Sequence, residues 1–193
     1  MSVADEIFSI YSARGAAAYF GEPVSVTEHG LQAAHFARLE QAPTQLVIAA
    51  LLHDVGHLVV ECPDDIEEWT SDAHHEQIGS GWLAKRFGPE VSEPVRLHVP
   101  AKRYLCATRE AYLRRLSPAS VLTLKLQGGV MSADEISRFE AEPFFKQAVR
   151  VREWDDQGKI AGLKTAALLE YRALLEGIAR AGSGTIPTGK FRP

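Results

Sequence analysis

Cysteine is scarce: Cys62 and Cys106 are the two thiols in 193 residues. Two are too few for a disulfide framework, so a reduced, cytoplasmic setting is the simplest expectation. Basic excess is missing too. The 21 Lys and Arg stand against 25 Asp and Glu, a formal net charge of -4. That balance argues against a general nucleic-acid surface, and an anionic ligand would need cations placed locally. No apolar run approaches the ~20 residues needed to cross a bilayer, so no membrane partner is expected. Met1 to Phe8 carries acids rather than a basic segment followed by an apolar one, and predicts no secretory signal. Alternating β-branched runs of the length a sheet needs are also lacking.

What is present reads as helix. Apolar residues make up 46% and charged ones 24%, ordinary for a globular chain long enough to bury a core. Val47–His53, Trp82–Phe87 and Ala166–Ile178 are rich in good helix formers. Gly and Pro punctuate them at Gly21–Pro23, Ala42–Pro43, Cys62–Pro63, Gly88–Pro89, Gly128–Gly129 and Pro143. Ser71 or Asp72 is placed to cap a helix running to Phe87, which Gly88 would end. Ser117–Pro118 marks another start, as does Ser132 with Asp134 and Glu135 in its first turn. No internal repeat or dividing linker is evident. The expectation is one all-α domain over residues 1–180, then a Gly- and Pro-rich tail, 181–193.

The strongest chemical signal is His53-Asp54-Val55-Gly56-His57, closing the apolar run Leu46–Leu52. Adjacent side chains on a helix diverge by about 100°, yet both can reach a metal pair beside the helix end. Imidazole offers a neutral nitrogen, and a carboxylate can bridge two cations and offset their charge. His57 follows His53 by four residues, which on a continuous helix puts them on one face. Gly56 would let backbone approach whatever is bound. The alternative is a pair of core histidines satisfied by hydrogen bonds.

This string resembles the signature of the HD-domain superfamily of helical metalloproteins. In that pattern His29, His53, Asp54 and Asp155 form a one-metal set, and His75 with His98 would extend it to a six-ligand, two-metal set. His74 is an alternative to His75, which keeps the superfamily spacing to Gly79. His35 lies six residues past His29, on another helical face, and reads as structural. Gly158 stands where Ala would suit a helix better, which leaves Asp156 as the alternative to Asp155.

Within the superfamily the chain resembles the mixed-valence diiron oxygenases that cleave carbon–phosphorus bonds, relatives of myo-inositol oxygenase. The matching segments begin at Tyr19-Phe20-Gly21-Glu22 and His29-Gly30-Leu31. They continue through the His53 string, His75-Glu76-Gln77-Ile78-Gly79 and His98-Val99-Pro100-Ala101-Lys102-Arg103-Tyr104-Leu105. Ser117-Pro118-Ala119-Ser120 through Leu126-Gln127-Gly128-Gly129 and Trp154–Lys159 close the series. The elements around Tyr19 and Lys102 are the discriminating ones, because a plain HD string serves many activities.

The resemblance implies roles residue by residue. One iron would sit on His29, His53, Asp54 and Asp155; the other, on Asp54, His75 and His98, would keep positions open for substrate and dioxygen. Lys102, His57 and Ser120 would hold a phosphonate, Lys102 sharing the face of His98 if the helix runs on past Pro100. Tyr19 and Glu22 resemble a gating pair: the tyrosine guards the open position and the glutamate receives a substrate amine.

The implied reaction consumes dioxygen on a mixed-valence Fe(II)/Fe(III) pair. It converts 2-amino-1-hydroxyethylphosphonate, or its (R)-trimethylammonio analogue, to phosphate and glycine or glycine betaine. A trimethylammonium prefers aromatic faces plus a carboxylate, and Asp64–Asp72 with Trp69 offers both, a weak lean to that substrate. The expected partner is thus a small organophosphonate, with the protein a monomer or small homo-oligomer. The rival readings are a metal-dependent phosphohydrolase of nucleotides or phosphate esters and a catalytically silent HD module.

Overall fold

A computed structural model describes residues 1–19, 21–59 and 74–182. Among them the structure is helical. The exceptions are turns, one 3-10 turn at Leu168–Tyr171 and one antiparallel bridge between Ala18 and Ser25. The helices are α1 (Val3–Arg14), α2 (Val26–Leu39), α3 (Thr44–Leu52), α4 (Gly56–Val59), α5 (His75–Ala84) and α6 (Pro89–Thr108). They continue with α7 (Glu110–Leu113), α8 (Pro118–Leu126), α9 (Ala133–Glu140), α10 (Phe145–Gln157) and α11 (Arg172–Gly182).

Capping chemistry sets several starts. Ser2, Ser25 and Ser132 each accept the N3 backbone N–H of their helix, and the N3 acid answers the cap's own N–H. Ser117 caps α8, with Pro118 in the first turn where its missing N–H costs nothing.

The apolar run Leu46–Leu52 is buried on every side. Such a helix must be central, and α3 is: α2, α6, α10 and α11 pack around it. Its shell includes Ile7, Leu83, Val95, Trp154 and Leu175. A second apolar cluster, around Leu97, Leu105, Leu124 and Phe139, joins the far half of α6 to α8 and α9. The long α6 spans both.

Several boundaries differ from the sequence expectation. The expected cap at Ser71 or Asp72 and the break at Cys62–Pro63 lie outside the described residues, as do residues 183–193. Helix α5 ends at Ala84 rather than Phe87, and Gly88 caps α6 instead of terminating α5. Ala166 and Ala167 precede the 3-10 turn rather than joining a helix, and α11 runs to Gly182. Helix α6 continues through both Pro94 and Pro100. No helix among the described residues is long and apolar enough to cross a membrane.

Candidate metal centre

Four helices and one turn deliver the polar residues of the interior. His29 comes from α2, His75 from the first position of α5, His98 from the middle of α6 and Asp155 from the end of α10. His53 and Asp54 lie in the turn that follows α3. All six are buried. Buried polar groups at this density require partners, and here the partners are one another.

Asp54 is the hub. Its Oδ2 stands 3.4 Å from His53 Nε2 and 3.6 Å from His29 Nε2. Its Oδ1 stands 3.3 Å from His75 Nε2 and 3.5 Å from His98 Nε2. One carboxylate therefore offers one oxygen to each of two histidine pairs. Asp155 completes the first group, with Oδ1 3.4 Å from His29 Nε2 and Oδ2 3.8 Å from His53 Nε2. His29, His53 and Asp54 form one ligand group and Asp54, His75 and His98 a second, each with donor atoms within 4.8 Å of one another.

The rings are aimed by hydrogen bonds on their outer nitrogens. Nδ1 of His29 meets the Gly158 carbonyl at 2.9 Å, His53 that of Ala50 at 2.8 Å and His98 that of Val95 at 2.7 Å. A carbonyl can only accept, so each Nδ1 carries the proton and each Nε2 turns a lone pair inward. The inward nitrogens then face each other, 3.0 Å between His29 and His53 and 3.3 Å between His75 and His98. Between His29 and His53 two lone pairs at that distance repel, and Asp155 Oδ1 is buried with no hydrogen-bond partner. Shared cations relieve both problems, so the donor set fits two metal ions of the borderline kind that nitrogen and carboxylate serve.

Electrostatics agree. Burial would push Asp54 up, but His53, His75 and His98 outweigh it and hold the carboxyl well below its usual range. Burial pushes His57 and His98 down, which keeps these imidazoles neutral. For His53 burial acts downward, yet Asp54 and Asp155 outweigh it and raise the ring to about 9, so with no cation present a proton takes the place on Nε2 that a metal ion would occupy.

The second ligand group opens on a cavity of ≈ 50 Å³, lined in part by Tyr19, Glu22, His57, Lys102, Ser120 and Arg152. Tyr19 stacks on His29 at 3.9 Å and donates to Asp54 Oδ2 at 2.6 Å. Burial and Asp54 raise its phenol far above the usual range, so it remains a donor. A tight turn places it: Glu22 N–H donates to the Tyr19 carbonyl at 2.7 Å, and Gly21 takes φ 77°. Glu22 accepts from Ser117 Oγ at 2.5 Å and pairs with Lys159 at 3.3 Å. Lys159 also donates to Ser120 at 3.0 Å. Lys102 is buried, donates to Thr123 at 2.9 Å, and is brought down to about 7 by burial and then by Arg152.

His29, His53, Asp54, His75, His98 and Asp155 lie in this centre, and Tyr19, Glu22, His57, Lys102 and Ser120 on this cavity. His74 does not: its side chain is 59% exposed, and the backbone is left-handed there at φ 49°. Asp156 points elsewhere, to Arg152 and Tyr112. His35 stands apart, its ring against Phe36.

Two physical expectations need correcting. His53 and His57 do not share a helical face, because α3 ends before His53; the His57 ring instead stacks on His75 at 4.0 Å. Gly56 serves α5 rather than a bound group, since a Cβ there would lie 2.0 Å from the His75 carbonyl. Arg152, Thr123 and Gln127 were not foreseen on the cavity wall. Thr123 and Gln127 lie in the matched segment Ser117–Gly129 without a role of their own, and Arg152 is a cation three residues before Asp155.

Comparison with known proteins fits this geometry. The HD-domain family model matches residues 22–126, and the chain belongs to the HD-domain family. It is 45% identical over 159 residues to hydroxymethylphosphonate dioxygenase of Gimesia maris, covering 82% of this chain and 79% of that one. It is 43% identical over 175 residues to a second relative, from Leisingera caerulea, covering 91% and 89%. That relative is a glycine-betaine-forming 1-hydroxy-2-(trimethylamino)ethylphosphonate dioxygenase.

Proposed function

We propose that this chain is a two-metal dioxygenase that cleaves the carbon–phosphorus bond of a small 1-hydroxyphosphonate. The observation that carries the reading is Asp54, one oxygen toward each histidine pair, beside a cavity walled by buried cations. On this reading His29, His53, Asp54 and Asp155 hold one ion, and Asp54, His75 and His98 hold the other. The resemblance to diiron oxygenases favours iron. When bound, the metal pair supplies dioxygen activation and the redox equivalents that organic side chains lack.

The protein binds and orients. Lys102 presents an ammonium to the phosphonate, with His57 and Ser120 beside it. Tyr19, anchored on the Asp54 oxygen that faces His29 and His53, covers the cavity side of the metal pair until substrate displaces it, which limits wasteful reaction with dioxygen. The atoms balance as hydroxyphosphonate plus O2 giving carboxylate, phosphate and one proton. A hydroxymethyl substrate yields formate; a 2-amino or 2-trimethylammonio substrate yields glycine or glycine betaine.

The head group is the finer question. Asp64–Asp72, which favoured a trimethylammonium, lies outside the described residues. Among those described, Tyr19 is the one non-histidine aromatic on the cavity, and Glu22 is already shared with Lys159. That favours a compact head group, because a trimethylammonium needs aromatic faces and an unclaimed carboxylate. Parallel kinetics with hydroxymethyl-, 2-amino-1-hydroxyethyl- and trimethylammonio-phosphonates should rank the compact substrates first.

Phosphate release measured with and without dioxygen tests the reaction class. One phosphate per O2 consumed is expected, and none under argon. Release that continues under argon would replace this reading with a hydrolase.

A further inference from the structure

Three of the four inward-facing histidines are aimed by a neutral backbone carbonyl; His75 is not. Its Nδ1 is buried without a hydrogen-bond partner. Glu76 Oε2 lies 3.7 Å away, itself buried and likewise without a partner. Two orphaned atoms, one a natural donor and one an acceptor, thus face each other inside the core. Leaving a buried donor and a buried acceptor unsatisfied is costly, the more so for a charge, so such a pair calls for an explanation.

The charges suggest one. The ligand group of His29 and His53 has its own carboxylate, Asp155, whose Oδ2 is shared with Arg152 at 2.6 Å. The group of His75 and His98 has only its share of Asp54. Glu76 lies one imidazole away on that poorer side. A carboxylate behind a ligand histidine fixes its tautomer and makes its inner nitrogen a better donor.

We propose that Glu76 is a positioning residue for the second metal. It accepts the Nδ1 proton of His75 when the ion is bound, orients that ring and supplies the negative charge this ligand group lacks. Binding of the ion polarises the ring and strengthens the bond, so Glu76 acts on one metal and not the other. His74 Nδ1 lies 3.7 Å from Glu76 Oε1 on the exposed side, leaving Oε2 for His75.

The inference rests on the two-metal reading above, and one experiment separates their failures. Wild type and Glu76→Gln are loaded with iron anaerobically, then dialysed against a graded chelator while metal per chain and unfolding temperature are followed. Wild type should retain two ions. Glu76→Gln should keep the first ion as wild type does and release the second at roughly 10- to 100-fold lower chelator concentration. Its metal-free form should melt no lower than metal-free wild type, because a buried unpaired carboxylate has been removed.

Wild type that never holds a second ion overturns the two-metal reading. Two ions in wild type held equally well by Glu76→Gln overturn the role of Glu76 alone. A lowered melting point with normal metal retention also overturns it, showing a merely structural glutamate. Should the variant fail to fold, zinc-loaded wild type labelled with 15N-histidine still decides. A protected, strongly downfield Nδ1 proton on His75 is expected; one exchanging freely with water contradicts the proposal.

Discussion

Asp54 has one oxygen on each histidine pair, so its replacement should not be a local loss. Asp54→Asn keeps the shape, removes the bridging charge and also weakens the Tyr19 bond. The expected outcome is loss of both ions together, read as metal per chain. Retention of one ion would show two independent sites. Lys102 makes a pH prediction. Burial and Arg152 bring it down to about 7, so the free enzyme loses the ammonium as pH rises through that value. The logarithm of kcat/KM should therefore fall above about pH 7, while kcat falls only at higher pH because bound phosphonate favours the charged form. Lys102→Arg, which stays charged, should abolish the limb at some cost in KM. These residues were legible because their types are chemically specific. Arg152 and Glu76 were not, since a cation and an acid near ligands are common on helices and only burial distinguishes them.

Helices matter here through where they end. His53 and Asp54 reach the centre because α3 stops at Leu52, and Gly56 then lets the chain pass 2.0 Å from the His75 carbonyl measured at a hypothetical Cβ. The sequence pattern located the string but implied one continuous helix, since the run of apolar residues gives no sign of the turn. Gly158 shows the opposite error. Helix propensity favours Ala there, yet Gly158 ends α10 with its carbonyl on His29 Nδ1. A Cβ would meet the His29 carbonyl at 3.1 Å and Nδ1 at 3.2 Å. Propensity offers at most about 1 kcal/mol, against about 1–3 kcal/mol for overpacking. Gly158→Ala should therefore lower the melting temperature, measured by calorimetry, and loosen the first ion. A raised melting temperature would show that His29 gives way easily.

The all-helical class followed from composition and periodicity, and the central helix from the apolar stretch that became α3. What one-dimensional pattern left out was convergence: Tyr19 and Asp155 are 136 positions apart, yet both meet the His29 ring. Spacing cannot report such a meeting, and the resemblance to a known family supplied it instead. The account as a whole depends on two ions sharing Asp54 beside a cavity that takes a phosphonate. Electron paramagnetic resonance of the half-oxidised, iron-loaded protein, titrated anaerobically with substrate, tests this most directly. A coupled two-iron signal that shifts with a hydroxyphosphonate and ignores nucleotides is predicted. A signal from isolated iron, or one indifferent to the phosphonate, would contradict it.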